Sequence, residues 1–182
     1  MEKDKIFIIS LGEIEDFSLI YLKETLEKIF PYPVILKKGN KSLDFAYDQK
    51  RGQYYSPFIM EKLKREVPQN AIKVLGVTEE DLFVKNLNFI FGQAEIFGEV
   101  SLISIKRLRE EYYNKRKNDS IFLLRTLKEA VHELGHSFGL NHCKNSRCVM
   151  FFSNSIIDTD NKSYKFCSIC EKIINRAFKS IN

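Results

Sequence analysis

The stretch from His132 to His142 constrains the fold of this 182-residue chain more than any other part of the sequence. On a helix, His132 and His136 lie about 40° apart round the axis and about 6 Å apart along it, so their imidazoles can meet one metal ion. Gly139 can adopt the left-handed conformation that ends a helix, and His142 can then turn back to the same ion. Three protein ligands leave one position open for water, as in catalytic zinc sites. The pattern therefore predicts a helix that ends at a metal centre.

Glu133 follows the first of these histidines and lies about 100° round the helix from it. This places the carboxylate beside the metal rather than on it, where a general base for a zinc-bound water belongs. An H-E-x-x-H stretch can also arise by chance in a polar helix. Gly139 and His142 at the expected positions weaken that alternative, and so does the confinement of all three histidines to this stretch.

The composition is that of a globular protein, with 44% hydrophobic and 29% charged residues. The length suits one domain, which we expect to span residues 1–182 with a sheet-rich part (1–118) and a metal-binding part (119–182). No stretch approaches the roughly 18 apolar residues of a membrane span. The N-terminus runs directly into a strand-like segment without a secretory signal, which predicts a cytoplasmic protein.

The net charge is +5, which is mildly basic. The densest basic run extends from Lys106 to Lys117, but Glu110 and Glu111 interrupt it. We favour a solvated helix or loop over a nucleic-acid-binding surface, which would bind in a salt-dependent way. We therefore expect neither a nucleic-acid partner nor a membrane partner.

All four cysteines follow the histidines, at Cys143, Cys148, Cys167 and Cys170. Their spacing is C-x4-C and then C-x2-C, and two such turns brought together form the tetrahedral thiolate shell of a structural zinc ion. Two disulfides are the alternative, for which the sequence permits three connectivities. In a cytosolic chain the clustering favours zinc.

Strands that alternate with helices in the first half of the chain predict an α/β sheet. The predicted strands are Lys5 to Leu11, Val34 to Lys37, Ala71 to Val77, Leu87 to Ile96 and Val100 to Leu108. The predicted helices are Asp16 to Phe30, Ser56 (as the N-cap) to Val67, Asn118 to Gly139 and Ser168 to Ile181, with a loop from Gly39 to Gly52. The first strand is continuously apolar, which predicts burial of both its faces. The helix that carries the histidines is expected to be amphipathic, because apolar residues recur in it at helical spacing, at Ile121, Leu124, Leu127, Val131 and Leu134.

With Met150 included, the pattern is H-E-x-x-H-x-x-G-x-x-H-C-x4-C-x-M, followed by C-x2-C. This order resembles the archaemetzincins, a small branch of the metzincin zinc peptidases. The resemblance extends from about residue 45 to the C-terminus. Similar segments are Arg51 to Tyr54, Val74 to Thr78, Asp81-Leu82, Phe91 to Glu95 and Arg107-Leu108.

The resemblance implies an α/β (α+β) metzincin-like fold. A twisted, mixed five-stranded sheet with an antiparallel edge strand would lie above the zinc-binding helix, and a zinc site made of the four cysteines and a C-terminal helix would follow. The edge strand would be Phe89 to Ile96, and an extended peptide could pair with it at Gly92, Gln93 and Ala94. An ordinary edge strand with no ligand is the alternative.

The resemblance also implies that Met150 is the Met-turn residue. Its thioether would pack beneath the histidines as an apolar floor without binding the metal, rather than being a generic core methionine. Cys143 directly follows the ligand His142. Tethering Cys143 to a second metal would therefore also fix the loop that holds this ligand.

By resemblance, the protein is a zinc-dependent peptidase with two Zn²⁺ ions per chain, one catalytic on His132, His136 and His142 and one structural on the four cysteines. Glu133 would act as general base and then as acid. We expect a monomer that acts on a peptide or protein substrate, either as an aminopeptidase or by cutting within chains. A catalytically silent, zinc-stabilised peptide-binding module is the alternative. Tyr164 is the nearest tyrosine after the Met-turn, and we assign it no role as a second oxyanion donor.

Overall fold

The computed structural model describes residues 4–181 of the chain. Within this range the strands are β1 (Lys5–Leu11), β2 (Val34–Lys38), β3 (Tyr47–Asp48), β4 (Gln53–Tyr55), β5 (Ala71–Thr78), β6 (Leu82–Phe83), β7 (Gly92–Ala94) and β8 (Val100–Ser104). The α-helices in the same range are α1 (Asp16–Ile29), α2 (Ser56–Arg65), α3 (Asp119–Ser137), α4 (Ile156–Asn161) and α5 (Ser168–Ile181). The first three residues, on which part of the argument about a secretory signal rests, lie outside the described range.

The described strands form a five-stranded sheet in the order β2-β1-β5-β8-β7. Its first four strands run parallel to one another, and β7 pairs with β8 in the antiparallel direction. This is the mixed sheet with an antiparallel edge strand that the family resemblance implies. The prediction of the fold class is therefore confirmed.

Helices cover both faces of this sheet, which explains the continuous apolar character of β1. Because side chains alternate between the faces of a strand, Ile6 and Ile8 enter a core shared with α1, α3 and α5. Phe7 and Ile9 enter a second core, which is shared with α2. β1 is thus buried on both faces, as predicted.

The histidine-bearing helix α3 packs across β5, β8 and β7. Both of its ends are as predicted. Asn118 accepts a hydrogen bond from the backbone N–H of Ile121 at 3.1 Å, which caps the first turn. Gly139 follows the last turn with φ of +97°, a conformation that suits glycine.

The apolar side predicted for α3 is buried at Leu127, Val131 and Leu134, but its polar side is not exposed to solvent over most of the helix. All residues from 125 to 137 are buried, because the sheet lies on one side of the helix and α1 and α4 pack on others. Ile121 and Leu124, which we assigned to the apolar face, are instead about one-third exposed (36% and 38%). The helix has a solvent-exposed side only near its N-terminus.

The edge strand is shorter than predicted: it comprises the three residues of β7 and not the whole segment from Leu87 to Ile96. The preceding residues form a loop, 84–91, in which Ile90 makes an isolated bridge to Leu82 of β6. The strand predicted from Val100 to Leu108 ends at Ser104 and continues as 3-10 turns. Both segments are rich in hydrophobic residues, but most of these residues lie in loops and 3-10 turns and not in paired β-strands.

A second sheet, in the order β3-β4-β6, was not predicted. It begins inside the segment from Gly39 to Gly52 that we expected to be a loop. Its described strands are two or three residues long, which is too short to produce a recognisable alternation in the sequence.

Three smaller helix predictions also need correction. Ser56 is the first residue of α2 and Tyr55 is the N-cap, and the helix ends at Arg65 rather than Val67. The spacing in α5 predicts an apolar side made of Ile173, Ile174, Ala177, Phe178 and Ile181. Ile174 is buried, but Ile173 is 44% exposed; the side chain of Ile181 lies outside the described residues. Helix α4 was not predicted. No helix in residues 4–181 is long and apolar enough to cross a membrane.

Candidate active site and metal centres

A cleft of about 430 Å³ lies between the edge strand and the C-terminal half of α3. Its lining comes from three parts of the chain. They are loop 84–91 with β7, the charged and histidine side chains of Glu129, His132, Glu133, His136 and His142, and the segment Phe152, Ser153 and Asn154. The structure therefore brings together the predicted ligands, the predicted base and the predicted edge strand.

Backbone carbonyls fix the proton positions on the two histidines of α3. Nδ1 of His132 lies 2.8 Å from the carbonyl oxygen of Val149, and Nδ1 of His136 lies 2.7 Å from that of Leu140. A carbonyl oxygen only accepts hydrogen bonds, so each Nδ1 carries the proton and each Nε2 presents a lone pair. These two Nε2 atoms face each other at 3.1 Å. Two acceptors at this distance need a cation between them.

The three histidines fit a zinc ion. One candidate ligand atom from each of them lies within 4.8 Å of the others, and two nitrogens of a tetrahedral zinc site would be about 3.3 Å apart. Burial, with a smaller effect of the Lys162 charge, lowers the pKa of His132 well below its usual value. Burial also lowers the pKa of His136 and of His142. Each of these shifts favours the neutral ring, the form that binds a metal.

Glu133 is 5% exposed and lies directly against β7. Burial raises the pKa of its carboxyl group well above the usual value, the charge of Glu129 adds to this effect, and Lys162 opposes it. The side chain lines the same cleft as the three histidines. Its position beside the ligands, and not among them, agrees with the helical spacing.

The predicted Met-turn residue is fully buried beneath α3. A Cβ placed on Gly135 would collide with Sδ of Met150, so the thioether packs against the helix between its two histidines. The neighbouring Val149 supplies the carbonyl that orients His132. Cys148 precedes both, so of three consecutive residues one lies in the cysteine cluster, one orients His132 and one packs against α3.

The four cysteines form one cluster in which their sulfur atoms lie within 4.8 Å of one another. Sγ of Cys143 and Sγ of Cys167 are 3.8 Å apart, about the separation of two thiolates on a tetrahedral zinc ion with bonds of roughly 2.3 Å. Backbone N–H groups of Asn145 and Cys167 point at Sγ of Cys143 and Cys148. A hydrogen bond from the backbone of Cys170 lowers the pKa of Cys167 to about 7. The four are free thiols, and their arrangement fits a metal rather than two disulfides.

Comparison with known proteins agrees with this geometry. The profile of peptidase family M54 matches residues 19–176. The chain is 45% identical over 168 residues to the archaemetzincin of Methanocaldococcus jannaschii, which covers 92% of this chain and 91% of that protein. The chain belongs to the archaemetzincin family, peptidase family M54. It is therefore a zinc metallopeptidase.

Solved structures of archaemetzincins have the same fold. The crystal structure from Methanopyrus kandleri matches with a TM-score of 0.86 and 33% identity, over 97% of this chain and 96% of that chain. A zinc-dependent peptidase from Methanocorpusculum labreanum matches with a TM-score of 0.85 and 28% identity, over 93% and 100% of the two chains. The family resemblance seen in the sequence is confirmed.

The edge strand of this archaemetzincin places its three predicted residues in the cleft. The backbone N–H of Ser104 donates to the carbonyl of Phe91 at 2.8 Å, and the register pairs Gly92 with Ile103. The side chain of Gln93 accepts a hydrogen bond from the hydroxyl of Ser56. Gln93 is thus tied to α2, on the opposite face of the sheet from α3.

Loop 84–91 of this archaemetzincin is held by a polar network that the sequence did not suggest. Arg107 makes a two-pronged ion pair with Asp81 at 2.6 and 2.7 Å. The amide of Gln53 donates to Asp81 at 3.0 Å and to the carbonyl of Asn88 at 2.9 Å, and Arg51 donates to the same carbonyl at 3.0 Å. Three of the segments that carry the family resemblance therefore converge on one wall of the cleft.

Glu129 is a second carboxylate in the cleft that the sequence analysis missed. It is one helical turn before Glu133 and accepts hydrogen bonds from Nζ of Lys162 at 3.0 Å and from the hydroxyl of Thr159 at 3.1 Å. The i, i+4 spacing on α3 could have revealed it. No pattern in the sequence pointed to Lys162 as the partner of this carboxylate. Tyr164 does not line the cleft in the described structure and packs against the main core.

Two further buried cationic side chains, Arg125 and Lys128 of α3, bind α4. Arg125 is 2% exposed and makes a two-pronged ion pair with Asp160, with both distances 2.7 Å. Lys128 donates to the backbone carbonyls of Thr159 and Asp160 at 2.8 and 2.9 Å. These contacts hold the segment after Met150, whose first residues form a wall of the cleft.

Proposed function

We propose that this archaemetzincin hydrolyses peptide bonds with a catalytic zinc ion held by His132, His136 and His142 and with Glu133 as general base. The observation that carries the proposal is that the Nε2 atoms of His132 and His136 face each other at 3.1 Å, beside a carboxylate in an open cleft. When bound, zinc would supply Lewis acidity that acidifies a water molecule and polarises the scissile carbonyl.

Glu133 has two tasks in this reaction. It takes a proton from the attacking water and then delivers that proton to the leaving amine. Burial raises the pKa of its carboxyl group, which strengthens the carboxylate as a base for the first step. A carboxylate at its usual pKa would be a weaker base for this step.

The substrate is an extended peptide that pairs with β7. In an antiparallel ladder, backbone groups point alternately to one neighbour and to the other side. Since the carbonyl of Phe91 accepts from Ser104 of β8, the N–H and C=O groups of Gly92 and Ala94 face away from β8. We infer that these two residues bind the substrate main chain and that Gln93 contributes by fixing the strand.

A second, structural zinc ion would be held by Cys143, Cys148, Cys167 and Cys170. The sulfur positions and the backbone N–H groups that point at them support this set. Each chain would then carry two zinc ions with separate roles. The structural ion would fix the segments on both sides of the Met-turn.

The test is cleavage of an unbiased peptide pool by the zinc-loaded protein, followed by mass spectrometry, with Glu133→Ala run in parallel at equal zinc content. We expect products from the wild type and none from the variant. The positions of the new ends distinguish trimming of amino-termini from cutting within chains.

Equal amounts of product from the wild type and the variant would rule out Glu133 as the general base. No products from either, with two zinc ions per chain confirmed, would contradict the proposed hydrolysis and favour a zinc-stabilised peptide-binding module. Binding of the same peptides without cleavage would identify that module.

A further inference from the structure

We propose that Gly92 is a positioning residue for Glu133. Because glycine has no side chain, this position of β7 leaves the space in which the Glu133 carboxylate lies. A Cβ built on Gly92 would be 2.6 Å from both Cγ and Oε1 of Glu133 and 2.8 Å from Cδ. Real Cβ atoms essentially never approach other heavy atoms so closely. The three heavy atoms nearest to this Cβ all belong to Glu133, so the contact is specific to that side chain.

The strand cannot easily move away from this contact. Side chains alternate along β7, so position 92 faces α3 while Gln93 faces the other way. Gln93 is bonded to Ser56 of α2, and the carbonyl of Phe91 is bonded to Ser104 of β8. The strand is thus fixed on both sides of Gly92.

The helix cannot easily move either. Glu133 lies in the part of α3 in which every residue is buried. One turn earlier, Glu129 is held by Lys162 and Thr159. A methyl group at position 92 would therefore displace the Glu133 carboxylate rather than the strand or the helix.

The inference rests on the proposed function, in which Glu133 is the general base. A misplacement of about 1 Å in a catalytic group can cost about 100-fold in rate. We therefore expect Gly92→Ala to lower kcat by about 10- to 100-fold. KM should change little, because the main-chain groups of β7 stay in place, and the zinc content should equal that of the wild type.

The experiment combines kinetics with a thermal-stability cycle on the zinc-loaded full chain. The four proteins are the wild type, Gly92→Ala, Glu133→Ala and the double variant. Gly92→Ala should lower Tm when Glu133 is present and have little effect on Tm in the Glu133→Ala background, where the clash is absent. If Gly92→Ala alone does not fold and the double variant does, the same conclusion follows.

Gly12→Ala is the matched control. Gly12 has φ of +85°, a Cβ there would have its nearest contact at 3.9 Å, on the carbonyl of Lys41, and it does not line the described cleft. This variant should lower Tm through backbone strain and leave kcat unchanged, which separates general destabilisation from displacement of the base.

An unchanged kcat in Gly92→Ala, or an equal loss of Tm in both Glu133 backgrounds, would overturn the proposal. Loss of zinc from Gly92→Ala together with loss of kcat would also overturn it, since the effect would then lie at the ligands. If Glu133→Ala retains turnover, the proposed function fails and with it the catalytic role of Gly92. The Tm cycle would still report whether the two positions compete for space, so the two failures are distinguishable.

Discussion

At the scale of single residues, Glu129 and Lys162 form a buried ion pair whose side chains are 3% and 0% exposed. Removing one partner leaves the other charge buried without compensation, which typically costs about 3–5 kcal/mol. We expect Lys162→Met and Glu129→Gln each to lower the free energy of unfolding by up to this amount. The double variant should lose less than the sum of the two, because it leaves no charge behind. Chemical denaturation of the zinc-loaded protein measures all three.

The exposed pair of Lys62 and Glu66 is the matched control for this cycle. Its side chains are 43% and 33% exposed, and such i, i+4 pairs contribute about 0.3–0.5 kcal/mol. Lys62→Met should therefore have a small effect. Additive losses for the buried pair, or losses as small as that of the control, would contradict the account.

The spacing of the sequence predicted the candidate ligands and a candidate base at the residue scale, because ligands on one helix must recur at fixed intervals. It could not identify the carbonyls of Val149 and Leu140 that orient the rings, since almost every residue carries such a group. It also could not find Lys162, whose partner is distant in the sequence. Contacts of this kind exist only once the chain is folded.

At the scale of elements, loop 84–91 depends on Gln53, which is 7% exposed and bonds both Asp81 and the carbonyl of Asn88. Gln53→Leu keeps the size of the side chain and removes both bonds, together with the bond that its oxygen accepts from Nε of Arg51 at 3.0 Å. We expect the free energy of unfolding to fall by about 1–3 kcal/mol, the usual cost of an unsatisfied buried group. KM should rise more than kcat falls, because the loop forms a wall of the cleft. Steady-state kinetics and denaturation measure the two effects.

The control for this variant is Gln69→Leu, which makes the same chemical change at an exposed position. It should leave both KM and stability near the wild-type values. If Gln53→Leu behaves like Gln69→Leu, the network does not hold the wall of the cleft.

Pairing of the substrate with β7 predicts a periodic sensitivity to backbone modification. Because only alternate residues of an added strand bond the edge, N-methylation of one substrate amide should raise KM at alternate positions. Each lost bond should cost about 0.5–1.5 kcal/mol, or about 2- to 13-fold. A series of singly N-methylated versions of one cleaved peptide measures this. The same effect at every position, or no effect at any, would contradict pairing at Gly92 and Ala94.

Long elements were predictable and short ones were not. β1, β5 and α3 carry enough apolar residues to indicate their type and ends. β3, β4 and β6 are too short to show alternation, and β7 was predicted too long because loop 84–91 is rich in apolar side chains that pack without a ladder. The burial of α3 on all sides depends on α1 and α4 packing against it, which no property of the helix itself predicts.

At the scale of the whole molecule, the two candidate metal centres share one short segment. Cys148 belongs to the cysteine cluster, while the carbonyl of Val149 orients His132. The backbone N–H of Cys143 donates to the carbonyl of Met150 at 2.9 Å. Cys148→Ser should therefore lose the structural zinc and weaken catalytic zinc binding by about 10- to 100-fold, as loss of supporting contacts does elsewhere. Metal analysis and competition with a chelator test this. Unchanged content of both zinc ions would contradict the prediction.

The arrangement of the whole molecule was predictable mainly through the family resemblance. Sequence patterns alone indicated alternating strands and helices, and the resemblance supplied the mixed sheet above the zinc helix. The two cores on opposite faces of β1 follow from its continuous apolar run. The polar network behind loop 84–91 and the ion pairs that fasten α4 required the folded chain, because their members come from distant segments.

The most direct test of the account is the turnover of Glu133→Gln relative to the wild type on one peptide, at equal zinc content. The amide keeps the size of the side chain but cannot take the proton from water, and general-base catalysis typically contributes about 100- to 10,000-fold. We predict a loss of kcat in this range, with KM nearly unchanged and both zinc ions retained. A kcat close to that of the wild type would show that Glu133 is not the base and would contradict the mechanism proposed for this cleft.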